Sequence, residues 1–165
     1  MLDELRYADY VDNAEFGDIL DERDLFEMRT IKAARALAVE QYLGTLEVGK
    51  RADIAVFLPA GGSGYDAILE GSPREVTLVF VDGRLLYGDA DLLSVAPPDG
   101  VCETLDICCR QKFLCIGQTG FPAADRLEQT LAEITQILND ALAAYDDMDL
   151  SQWDFAPITP VVKCR

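Results

Sequence analysis

The chain has 165 residues, half of them apolar and 27% charged, a composition that suits one globular domain with a core and not a disordered tail. Thirty Asp and Glu stand against 14 Lys and Arg, a formal charge of −16, which argues against a nucleic-acid backbone or an anionic membrane surface as partner. The sequence has no histidine. That removes Ser-His and Cys-His nucleophile pairs and His-based zinc sites, leaving carboxylates, cysteines and lysines as chemical candidates.

No apolar run approaches the ~20 residues of a membrane span. The N-terminus, MLDELRYADY, lacks the basic start and apolar stretch of a signal peptide, so the expectation is a chain with no export signal of its own. Leu2, Leu5, Ala8 and Val11 recur at three-residue spacing and predict a helix over residues 1–12. Asn13 to Gly17 interrupts it. Asp21 reads as an N-cap, with Leu25, Met28, Ile31, Ala34 and Leu37 as the stripe of one helix or of two joined by a bend. Gly44 reads as its stop.

The stretch from Gly44 to Arg51, GTLEVGKR, fits the G-x-x-x-x-G-K spacing of a phosphate loop. Its context contradicts that function. A phosphate loop follows a strand, opens a helix and carries Ser or Thr after the Lys. Here a helix precedes, a strand follows, and Arg51 takes the hydroxyl position. The reading adopted is a short strand through Leu46 and Val48, a turn at Gly49-Lys50 with Lys50 and Arg51 facing solvent, and a strand over Ala52 to Leu58. Residues 75–88, EVTLVFVDGRLLYG, predict a hairpin turning at Asp82-Gly83. Pro97 to Gly100 reads as a linker.

Cys102, Cys108, Cys109 and Cys115 crowd one segment, and Cys164 lies in the tail. The spacing matches no compact zinc site. It fits disulfides stapling an irregular segment in an oxidising compartment, Cys109 with Cys115 or Cys108 with Cys115; reduced cysteines are the competing reading. A small thiol-dependent enzyme using Cys108 or Cys109 is a rival function. The last element is a helix over about Asp125 to Tyr145, opened by a capping box of Asp125 and Glu128. Its apolar seam, Leu127, Leu131, Ile134, Leu138, Ala141 and Tyr145, is read as core packing. The tail after Asp149 reads as extended. The carboxylate runs, Asp3-Glu4, Asp21 to Asp24 and Asp146 to Asp149, read as solvated faces and helix starts rather than an acid/base pair.

Met28 to Leu58 followed by Glu75 to Gly88 resembles the C-terminal end of metal-dependent amidohydrolases. The resemblance rests on Thr30, the Ala33-Ala34-Arg35-Ala36-Leu37 helix, Gly44, Leu46, Gly49-Lys50, Ala52-Asp53 and the Val81-Asp82-Gly83-Arg84 turn. It covers roughly residues 1 to 93. It implies an α+β chain that is a C-terminal fragment of an amidohydrolase: barrel-end helices of a (β/α)8 barrel over 1–43, partial β-sandwich strands over 44–95, and a C-terminal helical extension with a cysteine-bearing linker over 96–165. Family members hold one or two divalent metals through histidines and an Asp on barrel strands. MLDELRYADYV resembles the segment just after the last of these, so no residue here is assigned as catalytic, cofactor-binding or metal-ligating. Lys32 stands where many members have Asn.

The resemblance thus implies a parent that hydrolyses amide-like C–N or related bonds with zinc, and a chain inactive alone. The alternative is an assembly module that completes a split hydrolase with a separate N-terminal chain, or a homo-oligomer. The cysteine cluster implies an extracytoplasmic parent.

Overall fold

The computed structural model describes residues 2–62, 64–96, 100–118, 129–149, 152–159, 162 and 164. Helix α1 spans Leu2–Val11 and widens into a π-helical turn, Asp12–Phe16, that ends at Gly17. The carboxylate of Asp12 is buried and accepts the Leu20 N–H at 2.8 Å, which folds the loop back on α1. Helix α2 spans Glu22–Arg29; Asp21 is its N-cap, accepting the Asp24 N–H at 2.7 Å. The apolar stripe then bends at Thr30 into α3, Ile31–Ala36.

That helix ends well before Gly44. Ala38 takes a left-handed φ of 55°, and the Val39 N–H returns to the Ala34 carbonyl. Gly44 has a different duty from the stop expected of it. Its φ is +97°, and a Cβ there would lie 2.9 Å from the Ala34 Cβ, so glycine lets the outgoing chain press against α3.

The sheet has five antiparallel strands in the order β1-β2-β3-β5-β4. Strand β1 is Ile54–Phe57, and a short helix α4, Asp66–Glu70, connects it towards β2. Strands β2, Val76–Val81, and β3, Arg84–Asp89, form the expected hairpin. Asp82 and Gly83 both have positive φ, the conformation of a type I′ turn. No strand covers Leu46 and Val48, which correct the sequence reading: both side chains are exposed, and the Glu47 carbonyl accepts the Lys50 N–H in a simple turn. Without a facing strand there is nothing for their alternation to bury.

The larger correction concerns residues 100–118. Expected as a linker and an irregular stapled segment, they are strands β4, Gly100–Ile107, and β5, Arg110–Gln118, turning at Cys108-Cys109. Strand β5 inserts between β3 and β4, so one sheet runs across the boundary placed at 95/96. Residues 97–99 of the expected linker lie outside the described residues. Gly88 permits the junction. A Cβ on it would come within 2.8 Å of the Phe113 ring and 2.7 Å of Leu78, so β3 carries glycine where those side chains meet.

Helix α5 spans Leu131–Asp146. Thr130 and Glu133 form its capping box; Asp125, Glu128 and Leu127 lie outside the described residues. The seam is not core packing. No residue of α5 is buried, and Leu138 and Tyr145 are exposed. The helix is held by its ends instead. Glu103 of β4 accepts the N–H groups of Leu131 and Ala132 at 2.5 and 3.1 Å, placing a carboxylate at the positive end of the helix dipole. The tail returns along α5: Asp146 accepts the Phe155 N–H, Asn139 accepts the Ile158 N–H, and Tyr145 meets Phe155 edge-on.

Candidate functional site

Part of the sequence signature, Ala52-Asp53 and the Asp82-Gly83 turn, meets at one corner of the sheet. The Asp53 carboxylate accepts the Asp82 N–H at 2.7 Å, and the Ala52 carbonyl accepts the Gly83 N–H at 3.0 Å. Arg51 lies 3.8 Å from the Asp82 carboxylate. The Ala52-Asp53 pair thus clamps the turn of the neighbouring hairpin, and the signature there is structural. Gly49 has the positive φ its turn needs. Lys50 does not face solvent as expected. Its side chain is 14% exposed and folds onto its own turn, donating to Thr45 and lying 3.5 Å from Glu47.

Sequence reasoning missed the most buried charge among the described residues. Lys112 is fully buried on β5 directly opposite Asp89 of β3. Its ammonium donates to the Asp89 carboxylate and to the carbonyls of Arg74 and Val76 at 2.8 and 2.7 Å, so three donors meet three acceptors. Arg110 takes the other Asp89 oxygen at 2.9 Å. Tyr87 lies beside this cluster, its ring centre 5.8 Å from the Lys112 ammonium. Burial, then the Asp89 charge, pushes the Tyr87 pKa up to about 12. A saturated ammonium is no nucleophile, so the cluster ties β2, β3 and β5 together. Its signal in the sequence was the alternation of Phe113, Cys115 and Gly117, which makes Lys112 a strand residue.

The disulfides differ from the expected pairings. Cys115 bonds Cys102, and Cys108 bonds Cys164; Cys109 is a free, exposed thiol. The reason is the hairpin. Cys108 and Cys109 occupy its turn, at the far end of β5 from Cys115, while Cys102 on the adjacent strand β4 has its Cα 4.1 Å from that of Cys115.

The carboxylate runs hold helices and ion pairs. Asp24 meets Lys32 at 2.5 Å, Glu27 lies 3.6 Å from it, and Arg23 meets Glu27 at 2.8 Å. The hydrogen bond to Lys32 holds the Asp24 carboxyl below its usual range, and the one to Asp24 raises the pKa of Lys32. Apolar side chains on the helices remain open. Tyr7, Tyr10, Phe16 and Ile19 are each about two-thirds exposed, and Tyr7, Ala8, Val11, Phe16 and Leu20 line a groove of about 280 Å³.

The amidohydrolase family model matches residues 1–86, just over half of the chain. The chain belongs to the amidohydrolase family. It is 32% identical over 104 residues to a 5-methylthioadenosine/S-adenosylhomocysteine deaminase from Desulforudis audaxviator, covering 58% of this chain and 24% of that protein. A deaminase of the same description from Symbiobacterium thermophilum is 38% identical over 73 residues, 40% of this chain and 17% of the relative. The chain thus spans about a quarter or less of the curated relatives it matches. A crystal structure of an adenosine deaminase from Xanthomonas campestris with bound zinc is 26% identical, covers 52% of this chain and 21% of that one, and superposes with a TM-score of 0.47.

Amidohydrolases work with divalent metal, and the residues of this amidohydrolase segment do not fit one. The sequence has no histidine, and among the described residues no three Cys, Asp or Glu come together as a metal site. What these side chains can do is cap, clamp and pair.

Proposed function

We propose that this chain is the C-terminal part of an amidohydrolase-family enzyme that hydrolyses C–N bonds, and that it has no such activity by itself. The similarity to deaminases favours hydrolytic deamination of an adenine-type base as the parent reaction: water adds at the amine-bearing carbon and ammonia leaves. In that division of labour the metal centre, zinc in this reading, belongs to the barrel part of the parent. The α1–α3 segment and the sheet serve as scaffold. The family match over residues 1–86 carries this reading.

A second reading shares its support. The open apolar side chains of α1 and the turn after it favour a module that docks on a separate barrel chain and completes a split hydrolase. The two disulfides favour an oxidising compartment for the parent. Both are tested by expressing the chain with a histidine-bearing chain that covers the rest of the Desulforudis audaxviator deaminase. Co-purification, with ammonia released from 5-methylthioadenosine by the pair and by neither alone, is the expected result. Ammonia release by this chain alone would overturn the first reading, and failure to co-purify the second.

A further inference from the structure

Three cysteines meet where the β4–β5 hairpin turns, and the proposed function leaves them unused. Cys108 and Cys109 are the two central residues of that turn, between the paired Ile107 and Arg110, and both have positive φ, 54° and 61°. Cys108 is bonded to Cys164, a link that closes a loop of 56 residues around α5. Cys109 is exposed and reduced. An accessible thiol thus sits one residue from a disulfide whose far partner lies on an extended tail.

We propose that Cys109 is an exchange thiol that takes Cys164 from Cys108, so that the tail has two alternative covalent anchors. The Cys109 thiolate attacks the Cys164 sulfur. A Cys109–Cys164 bond forms, the Cys108–Cys164 bond breaks, and Cys108 leaves as the thiolate that carries the released electron pair. No oxidant or reductant is consumed, because one disulfide and one thiol stand on each side.

The geometry supports the exchange. The Cα atoms of Cys108 and Cys164 are 5.3 Å apart. Cys109 is one peptide further along, a Cα step of about 3.8 Å. A shift of a few ångströms in the tail end therefore brings Cys164 within bonding range of Cys109, about 4.4–6.8 Å between Cα atoms. The new loop is one residue shorter, so its closure entropy is almost unchanged. The hairpin itself is fixed: the Asp106 carboxylate accepts the Cys109 N–H at 2.9 Å and bonds Gln111 at 3.0 Å. Phe155 and Ile158 of the tail are held on α5 by Asp146 and Asn139, Ile158 six residues before Cys164, which limits how far Cys164 can move from the turn.

The test is differential alkylation of the intact protein. After incubation in mildly alkaline buffer under argon, free thiols are tagged with one reagent, disulfides are reduced, and the newly freed thiols take a second. Fragment-ion mass spectrometry then reads which of Cys108 and Cys109 holds the first tag. The expected result is first tag on both, rising at Cys108 with incubation, and none at Cys108 in Cys109→Ser. A second variant, Cys108→Ser, tests reach alone: it is expected to hold a Cys109–Cys164 bond and no free thiol. First tag confined to Cys109 at every time, or two free thiols in a folded Cys108→Ser protein, would overturn the proposal.

Discussion

The helical region, residues 2–43, and the sheet, residues 54–118, are stabilised by different means. In helices α1 to α3 the N-cap at Asp21 and the ion pairs Arg23–Glu27 and Lys32–Asp24 are local and partly exposed, and the distant contacts are few: a small buried cluster, Leu5, Leu25 and Leu69, and Arg6, which donates to the Leu69 and Gly71 carbonyls. The sheet rests on contacts between residues far apart in sequence. Leu85, Phe113 and Cys115 form its buried cluster, a disulfide joins the adjacent strands β4 and β5, and Lys112 reaches from β5 to Asp89 of β3 and to the carbonyls of Arg74 and Val76 at the start of β2. Local pairs on exposed surfaces contribute a few tenths of a kcal/mol each, whereas a buried charge cluster is costly to break. The sheet is therefore the part that holds itself together, and the helices are the part that wants a neighbour.

The largest predicted effect follows from the Lys112 cluster. Asp89→Ala leaves a fully buried ammonium with carbonyls alone and Arg110 without its carboxylate. A loss of about 3–5 kcal/mol is expected, read as a fall in the urea midpoint. A loss under 1 kcal/mol would show that the cluster does not organise the sheet.

Leu25→Ala empties the centre of the helical cluster, where Leu25 is fully buried. Truncations of this kind cost about 2–5 kcal/mol in closed cores; with so small a cluster the low end is expected. The effect should also be local. Amide exchange should quicken across α1 to α3 while β2, β3 and β5 stay protected. Equal loss of protection in both regions would erase the contrast between them.

The contrast also explains what could be read from the sequence. Helices α1 and α2, the Asp21 cap and the β2–β3 hairpin rest on signals within a few residues: three-residue apolar spacing, an acidic cap, an Asp-Gly turn. The β4–β5 hairpin has no such turn signal, because Cys108-Cys109 stands where Asn-Gly or Asp-Gly would announce it. Cysteine spacing suggested a loop closed within 108–115, yet the pairing is set by which strand lies next to β5. Lys112 lies inside that expected loop, and only the insertion of β5 beside β3 places it opposite Asp89. Of the candidate site, the signature residues were legible, but their joint role was not. Asp53 and Asp82 are 29 residues apart and meet only when β1 pairs with β2.

Two further perturbations address the sheet alone. Replacing Cys102 and Cys115 together by Ala opens the 13-residue link and should cost about 3 kcal/mol, seen as a lower thermal midpoint with the hairpin still paired by NMR. Gly88→Ala pushes a methyl into the Phe113 ring and Leu78. Overpacking of this kind costs about 1–3 kcal/mol. An unchanged midpoint for Gly88→Ala would mean that β3 and β5 can separate without penalty.

The smallest effects come from pH, and they divide along the same line. In the helices, hydrogen bonds from Lys32 and Arg23 lower the pKa values of Asp24 and Glu27. A lowered folded value means that the contribution is present above the unfolded carboxylate range, about 4, and is lost as pH falls through the folded value. Both groups are partly exposed, so acid should loosen α2 and α3 only slightly, and less at high salt. In the sheet, Tyr87 shifts the other way, to about 12, through burial and the Asp89 charge. Its contribution is full below the ordinary tyrosine value near 10 and is lost as pH rises through about 12. Tyr87 should therefore ionise late in an ultraviolet titration, with sheet amides losing protection over that same interval. In Tyr87→Phe the late phenolate should vanish, and the sheet should keep its protection across the same alkaline range. A late phenolate that survives Tyr87→Phe would place the alkaline response outside the Asp89–Lys112 cluster.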